Sequence, residues 1–469
     1  MITSLFKYAP AQVFSALSLF ALISIHSRFL APEEYGLLAI LLVFAEGARS
    51  VFIQWINSCL LRFYSAMDID DKSALLSQLT QWLIFFLGIS SVVVAALMFA
   101  FSIFSFASFI AVYLLLITKS VYLFLIECTR VKEKSSLYRR SVFIQSVFSM
   151  SVTFIALSWH ADILIAILSL SFSYFTSIVI IGFKVGAYVR LSSVQRQEVI
   201  SYGLPFMLSG LIGILATRSD RLLIASITNL EQAGVYSVVN NLIMGVMSIV
   251  FMIIALPLYP ELTKIVGDQH SLYHRHKNYS GLLIALTLPA LVGVCLIAPV
   301  FIEVFLGELY HDLDLRIWYL ISLSAWLINI KWHFLDHGFQ FIFKTKWMPV
   351  ITGFILLTQV TLFIFFVPKY GVFGAASCLA VAFFMGALCS LIIGILLGYR
   401  YPWPQDLHKT LISTIVMSIT IYYFLDKLNL FIAIIKLLIL VSVGFLSYLS
   451  THIVLNGFLI RSHFKIWRR

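Results

Sequence analysis

Residues 28–56 read RFLAPEEYGLLAILLVFAEGARSVFIQWI. Arg28 closes one apolar run, and Tyr35-Gly36 opens another of about twenty residues, enough at 1.5 Å per residue to cross a bilayer core. Between them Pro32 is expected to stop the first helix, and Glu33-Glu34 suits the positive end of the next helix dipole. Gly36 permits a tight turn and close helix approach. Inside the second run lie two charges, Glu46 and Arg49, three residues apart and so on one helical face, able to pair. A lipid-facing position would cost several kcal/mol per charge, so both are expected to face a cavity or each other.

The same grammar runs through all 469 residues. Fourteen stretches are read as spans: 9–30, 36–56, 80–101, 104–125, 141–159, 162–182, 202–219, 235–256, 281–302, 317–341, 347–367, 372–398, 410–425 and 430–453. Ser102 to Ser105 must make a tight hairpin between the third and fourth. The chain is 61% apolar and only 11% charged, against about a quarter charged in a soluble domain. An all-α polytopic membrane protein is therefore the expected fold class. No cleavable signal is evident; the first apolar stretch follows Lys7 directly and is expected to stay as an anchor.

With the N-terminus in the cytoplasm, twenty-two of the 32 Lys and Arg fall on cytoplasmic connections or tails. Arg28, Arg218, Arg221, Arg316, Lys369 and Lys427 fall on the opposite side, and Arg49, Lys119, Lys331 and Lys436 inside spans. That asymmetry orients the chain with both termini cytoplasmic. It also accounts for the net charge of +11 without nucleic acid, since the charges lie in short loops. The five cysteines are scattered, with no CxxC spacing, and read as small hydrophobes.

A repeat is visible. Tyr8 leads through a span to Arg28-Phe-Leu, then Tyr35-Gly36; Tyr202-Gly203-Leu-Pro205 leads to Arg221-Leu-Leu, then Gly234-Val-Tyr236. Two parallel six-helix halves around a central cavity follow, as in some transporters. The expected lobes are 1–198 and 199–400, with two additional helices and a basic tail at 401–469.

Arg28 to Ala39 resembles the first hairpin of Wzx-type oligosaccharide flippases of the MATE/polysaccharide-flippase superfamily. Asp220-Arg221-Leu-Leu with Gly234-Val-Tyr236-Ser looks like its second-half counterpart, and Pro368-Lys369-Tyr370-Gly371-Val-Phe-Gly374 like the turn before their twelfth helix. The resemblance implies two lobes related by a pseudo-two-fold, and export of undecaprenyl-pyrophosphate-linked oligosaccharide across a bacterial inner membrane for O-antigen or capsule. It implies a transporter without cofactor, leaves coupling to H+ or Na+ open, and makes a polysaccharide polymerase and a chain-length regulator plausible partners.

Arg28, Arg218 and Arg221 end the first and seventh spans in corresponding places and are expected at the cavity's outward mouth, beside Asp220. Guanidinium groups bind phosphate bidentately and stay charged; headgroup anchoring is the bland alternative. Arg49 and Lys331 complete the expected pyrophosphate set. In the tenth span Asn329, His333, Asp336, His337 and Gln340 are read as one polar face. The His pair has i,i+4 spacing but lacks the HExxH glutamate and a fourth ligand, so a wet cavity wall is expected, with Asp336 beside two histidines a candidate proton acceptor. Asn240 and Asn241 in the eighth span suit sugar hydroxyls or helix packing equally. Glu127, Lys119 and Glu303 are read as helix-end residues reaching the interface. A lipid II flippase or a MATE-type cation or drug antiporter is the alternative in the same fold. A membrane polymerase or ligase is the alternative in another class, though no outward connection carries a catalytic motif.

Overall fold

In a bilayer every backbone polar group must be satisfied within its own segment, which leaves a lipid-facing apolar chain little choice but helix. The computed structural model, which describes residues 2–182, 191–428 and 430–457, is correspondingly helical. Ten helices among the described residues are long and apolar enough to span a membrane. Exposed Phe85, Val92, Ile419 and Leu438 put apolar surface outward, where lipid rather than water can cover it. Of the basic residues counted above, Lys184, Arg190, Arg461, Lys465, Arg468 and Arg469 lie outside the described residues.

By contact the chain divides into two units, Met1–Ser237 and Val238–Arg469. The first holds α1 (Ile2–Phe29), α2 (Pro32–Phe52), α3 (Gln54–Phe63), α4 (Ile69–Ala100), α5 (Phe106–Val131), α6 (Ser135–Trp159), α7 (Ile163–Ile181), α8 (Ser193–Ile227) and the start of α9 (Leu230–Thr263). Here α1 packs on α6, α6 and α5 on α7, and α2 and α3 on α8. Pro32 does not stop α1, which ends at Phe29. It stands at the first position of α2, where its missing N–H costs no helical bond. Glu34 accepts from the Ala31 N–H at 2.8 Å and caps that end.

The second run is a single span broken once. At Ile53 (φ −120°, ψ −36°) α2 gives way to α3, and Trp55 Nε1 donates to the Phe52 carbonyl at 2.8 Å. Two glycines seven apart on α8 meet this broken helix: a Cβ on Gly210 would strike the Ser50 carbonyl, and one on Gly203 the Trp55 ring. Small residues let the helices close to backbone distance. The hairpin at Ser102 to Ser105 is present: Ser102 has φ +57° and Ser105 caps α5, accepting from the Ser108 N–H at 3.1 Å.

The second unit holds the rest of α9, α10 (Gln269–Leu296), α11 (Ala298–Phe305), α12 (Leu315–Ile330), α13 (Asp336–Phe341), α14 (Trp347–Leu396), α15 (Leu407–Lys427) and α16 (Ala433–Val454). α12 packs along α14, α10 against α15, and α11 and α15 against α16. α14 covers two predicted stretches because they meet without a loop: Gly371 (φ 53°, ψ −135°) turns the chain between them, a conformation open to glycine. Between α12 and α13 the backbone widens into a π segment, Lys331–Leu335. The tenth span is therefore not the uninterrupted α-helix on which its single polar face was drawn.

Candidate functional site

Three ionised side chains on membrane helices of the first unit, Glu46, Arg49 and Lys119, form one cluster. Arg49 lays its fork on Glu46, with Nε 3.1 Å from both carboxylate oxygens and Nη2 2.5 Å from Oε1. This is the pairing that spacing predicted. Lys119, on α5, brings Nζ to 2.7 Å from the other oxygen, Glu46 Oε2. Gln54, just past the break in the helix, accepts from Arg49 Nη2 at 3.3 Å. The trio is part-open, with side-chain exposures of 27% for Glu46 and 31% for Lys119.

Lys119 is thus not an interface residue. Its span was drawn as 104–125, which put it near an end, but α5 runs to Val131 and leaves it near the middle. No local pattern links Lys119 to Glu46, seventy-three residues away.

α8 adds further charges. Arg218 is half-buried and interacts electrostatically with Glu46, Asp220, Arg221 and Tyr35. Asp220 and Arg221 are buried; Arg221 Nη1 lies 3.6 Å from Asp220 Oδ1, and the Tyr236 hydroxyl donates to Asp220 Oδ2 at 2.8 Å. By these distances Arg49 and Lys119 share one carboxylate, Glu46, while on α8 Arg221 lies against Asp220, and Arg218 interacts electrostatically with both carboxylates. Arg28 is exposed in the last turn of α1.

Beside it, α2 meets the start of α9 in a reciprocal contact. A Cβ on Gly36 would strike the Leu230 carbonyl, and one on Gly234 the Pro32 carbonyl. Each glycine stands four residues past the carbonyl its partner meets, so the two helix starts present the same face to each other.

The other expected site residues belong to the second unit. Lys331 and Asp336, each 1% exposed, pair at 2.8 Å, and Ser390 on α14 donates to the second oxygen of Asp336 at 3.1 Å. Five residues along an α-helix the chain has turned about 140° away, so this pair exists because the π segment realigns it. Tyr279 donates to the His333 carbonyl and Tyr401 to the Leu335 carbonyl, at 2.8 and 2.7 Å. The histidines face rings: His333 stacks on Phe251, His337 lies against Tyr259 and His276, and His276 Nδ1 bonds Tyr399 at 2.7 Å. Tyr399 and Tyr401 come from the connection after α14, which no motif marked. Asn240 is buried and Asn241 half-buried on α9.

At the start of α12 a hydrogen bond from Arg316 holds the Asp314 carboxyl below its usual range. A cleft of about 420 Å³ nearby is lined by Glu303, His311 and Asp312 among others, an acidic wall unsuited to an anion.

The sequence profile of the family described as Polysaccharide biosynthesis protein matches residues 25–314, more than half of the chain. No curated protein matches. Among solved structures, a lipid II flippase MurJ in its inward closed conformation superposes with a TM-score of 0.70 at 16% identity, over 97% of this chain and 99% of that one. An inward-facing multidrug resistance MATE family transporter of the MOP superfamily gives 0.60 at 13% identity, over 82% and 94%. A point mutant of the Vibrio cholerae MATE transporter VcmN gives 0.50 at 13% identity, over 84% and 96%.

Proposed function

The chain belongs to the polysaccharide biosynthesis protein family, and on that footing we propose that it moves a diphosphate-linked lipid glycan from the inner to the outer leaflet of the cytoplasmic membrane. It is a multi-pass membrane protein with the fold of the MOP-superfamily transporters, and a transporter rather than an enzyme. The single observation that carries the reading is that two cations on membrane helices, Arg49 and Lys119, share one carboxylate, Glu46. Charge held in a membrane is costly, and an excess of one sign calls for a ligand of the other. An anionic diphosphate supplies it, and Arg49 offers the planar fork that suits its oxygens. A cationic drug would be repelled, which counts against an antiporter of that kind.

The architecture proposed is fourteen crossings in two lobes, 1–198 and 199–400, with two further helices in 401–469. The lobes rock about a hydrated cavity, so the polar head crosses without entering hydrocarbon. The seam of Gly36 and Gly234 then closes the outer side. Arg28 and Arg218 are proposed to line the outward route, and the half-buried Asn241 to meet sugar hydroxyls; Arg221, buried against Asp220, and the buried Asn240 are left out of the cargo contacts. Lys331, enclosed with Asp336, is left out of the cargo contacts; coupling to H+ or Na+ through Asp336, His333 and His337 stays a proposal.

Two cargoes share this chemistry. The family description favours the repeat unit of a surface polysaccharide such as O-antigen or capsule, the resemblance to MurJ across 97% of the chain a lipid II-type substrate. Reconstitution in vesicles separates them. With one or other glycolipid loaded in one leaflet, appearance in the opposite leaflet is read by a membrane-impermeant label. Flipping of one is expected, at least tenfold slower in Lys119→Met; failure to flip either sinks the reading.

A further inference from the structure

Glu46 sits where the cargo anion should sit. It takes up the bidentate face of Arg49 and the ammonium of Lys119 together, two donors a phosphate oxygen pair would otherwise use. Both are placed by the fold rather than by each other: Arg49 lies one turn before the break at Ile53, Lys119 on a separate helix. Arg218 on α8 also interacts electrostatically with the carboxylate, as Tyr174 on α7 does with Arg49 and Lys119. Around Glu46, then, three helices contribute cations, one contributes a phenol, and the carboxylate is the anion they hold in common.

We infer that Glu46 is a built-in competitor of the cargo: a resident carboxylate that holds Arg49 and Lys119 while the site is empty and is displaced from them when a diphosphate loads. The inference rests on the flippase reading and adds a role to it. A membrane cation pair with no anion would be costly between cycles, and a cation pair that bound diphosphate without competition would not let it go. A carboxylate tethered three residues from one of its partners answers both: it stabilises the empty site and returns to eject the product. Its part-open position leaves it room to turn away, unlike the enclosed Asp336. No bond is made or broken in the exchange; one set of charge-assisted hydrogen bonds replaces another.

The test is titration of the full-length protein in detergent with inorganic pyrophosphate, beside the flipping assay. Glu46→Gln keeps the side chain's shape and removes its charge. It is expected to bind pyrophosphate about tenfold tighter than wild type and to flip glycolipid several-fold more slowly, because release becomes limiting. Glu46→Asp retracts the carboxylate from Lys119 and is expected to fall between the two, which covers the case of a poorly folded glutamine variant. Lys119→Met should weaken pyrophosphate about tenfold. If Lys119→Met weakens binding while neither Glu46 variant tightens it, the competitor role is overturned and the anion site stands. If pyrophosphate binding is unchanged both in Lys119→Met and in Arg49→Gln, the anion site itself is wrong.

Discussion

Two intramembrane ion pairs differ in kind, and the difference predicts what each substitution does. Lys331 and Asp336 are enclosed, each 1% exposed, so neither charge has water to fall back on. Removing one partner of a buried pair costs about 3–5 kcal/mol, whereas replacing both with apolar groups is often neutral. Lys331→Met is therefore expected to lower the thermal midpoint in detergent sharply, and Lys331→Met with Asp336→Leu to recover most of the loss. A double variant as unstable as the single one would show that the pair is not what holds the tenth span. Lys119, 31% exposed, should give a milder change in stability and a larger one in transport. The legibility of these sites follows the same geometry. Glu46 and Arg49 could be paired from their spacing because three residues bring side chains onto one helical face. Lys331 and Asp336 could not, because five residues do so only through a π turn, and nothing in residues 331–335 announces one.

At the scale of the element, breaks and close approaches matter more than helix interiors. The apolar runs were legible wherever length and hydropathy suffice, and so were the turns that need a special residue, as at Gly371 and Ser102. What could not be read was which helices touch, since lipid-facing and protein-facing apolar surfaces are written in the same residues. The role of Gly36 illustrates the gap. Its close approach was expected, but its partner Gly234 and the reciprocal register of α2 and α9 come from the structure. A methyl group at either position falls on a backbone carbonyl, which cannot turn aside as a side chain can. Gly36→Ala is accordingly expected to part the two helix starts. Spin labels on the exposed Glu33 and Glu231 positions would report it, with a longer and broader distance distribution than in wild type and a further increase in the double variant with Gly234→Ala. An unchanged distribution would mean that the seam has slack the contact geometry does not suggest.

For the whole molecule, the decisive quantity is the charge that moves. With the chain oriented as its loop asymmetry implies and the cargo an anion as proposed, the two together set the direction in which a membrane potential acts. Moving charge through a potential is worth about 2.3 kcal/mol per elementary charge per 100 mV, so a diphosphate of roughly two charges gains about four to five when expelled from an inside-negative compartment. If the protein carries no compensating cation with the cargo, the outward flipping rate in vesicles should rise with an inside-negative diffusion potential and fall when its sign is reversed. If Glu46 swings without crossing, and no ion enters in exchange, the full two charges are felt. A rate indifferent to potential would mean that two positive charges, two monovalent cations or one divalent, travel with each glycolipid. In that case a gradient of that cation, and not the voltage, should set the direction, and the enclosed carboxylate of Asp336 in the second unit would be the first place to look for its binding site.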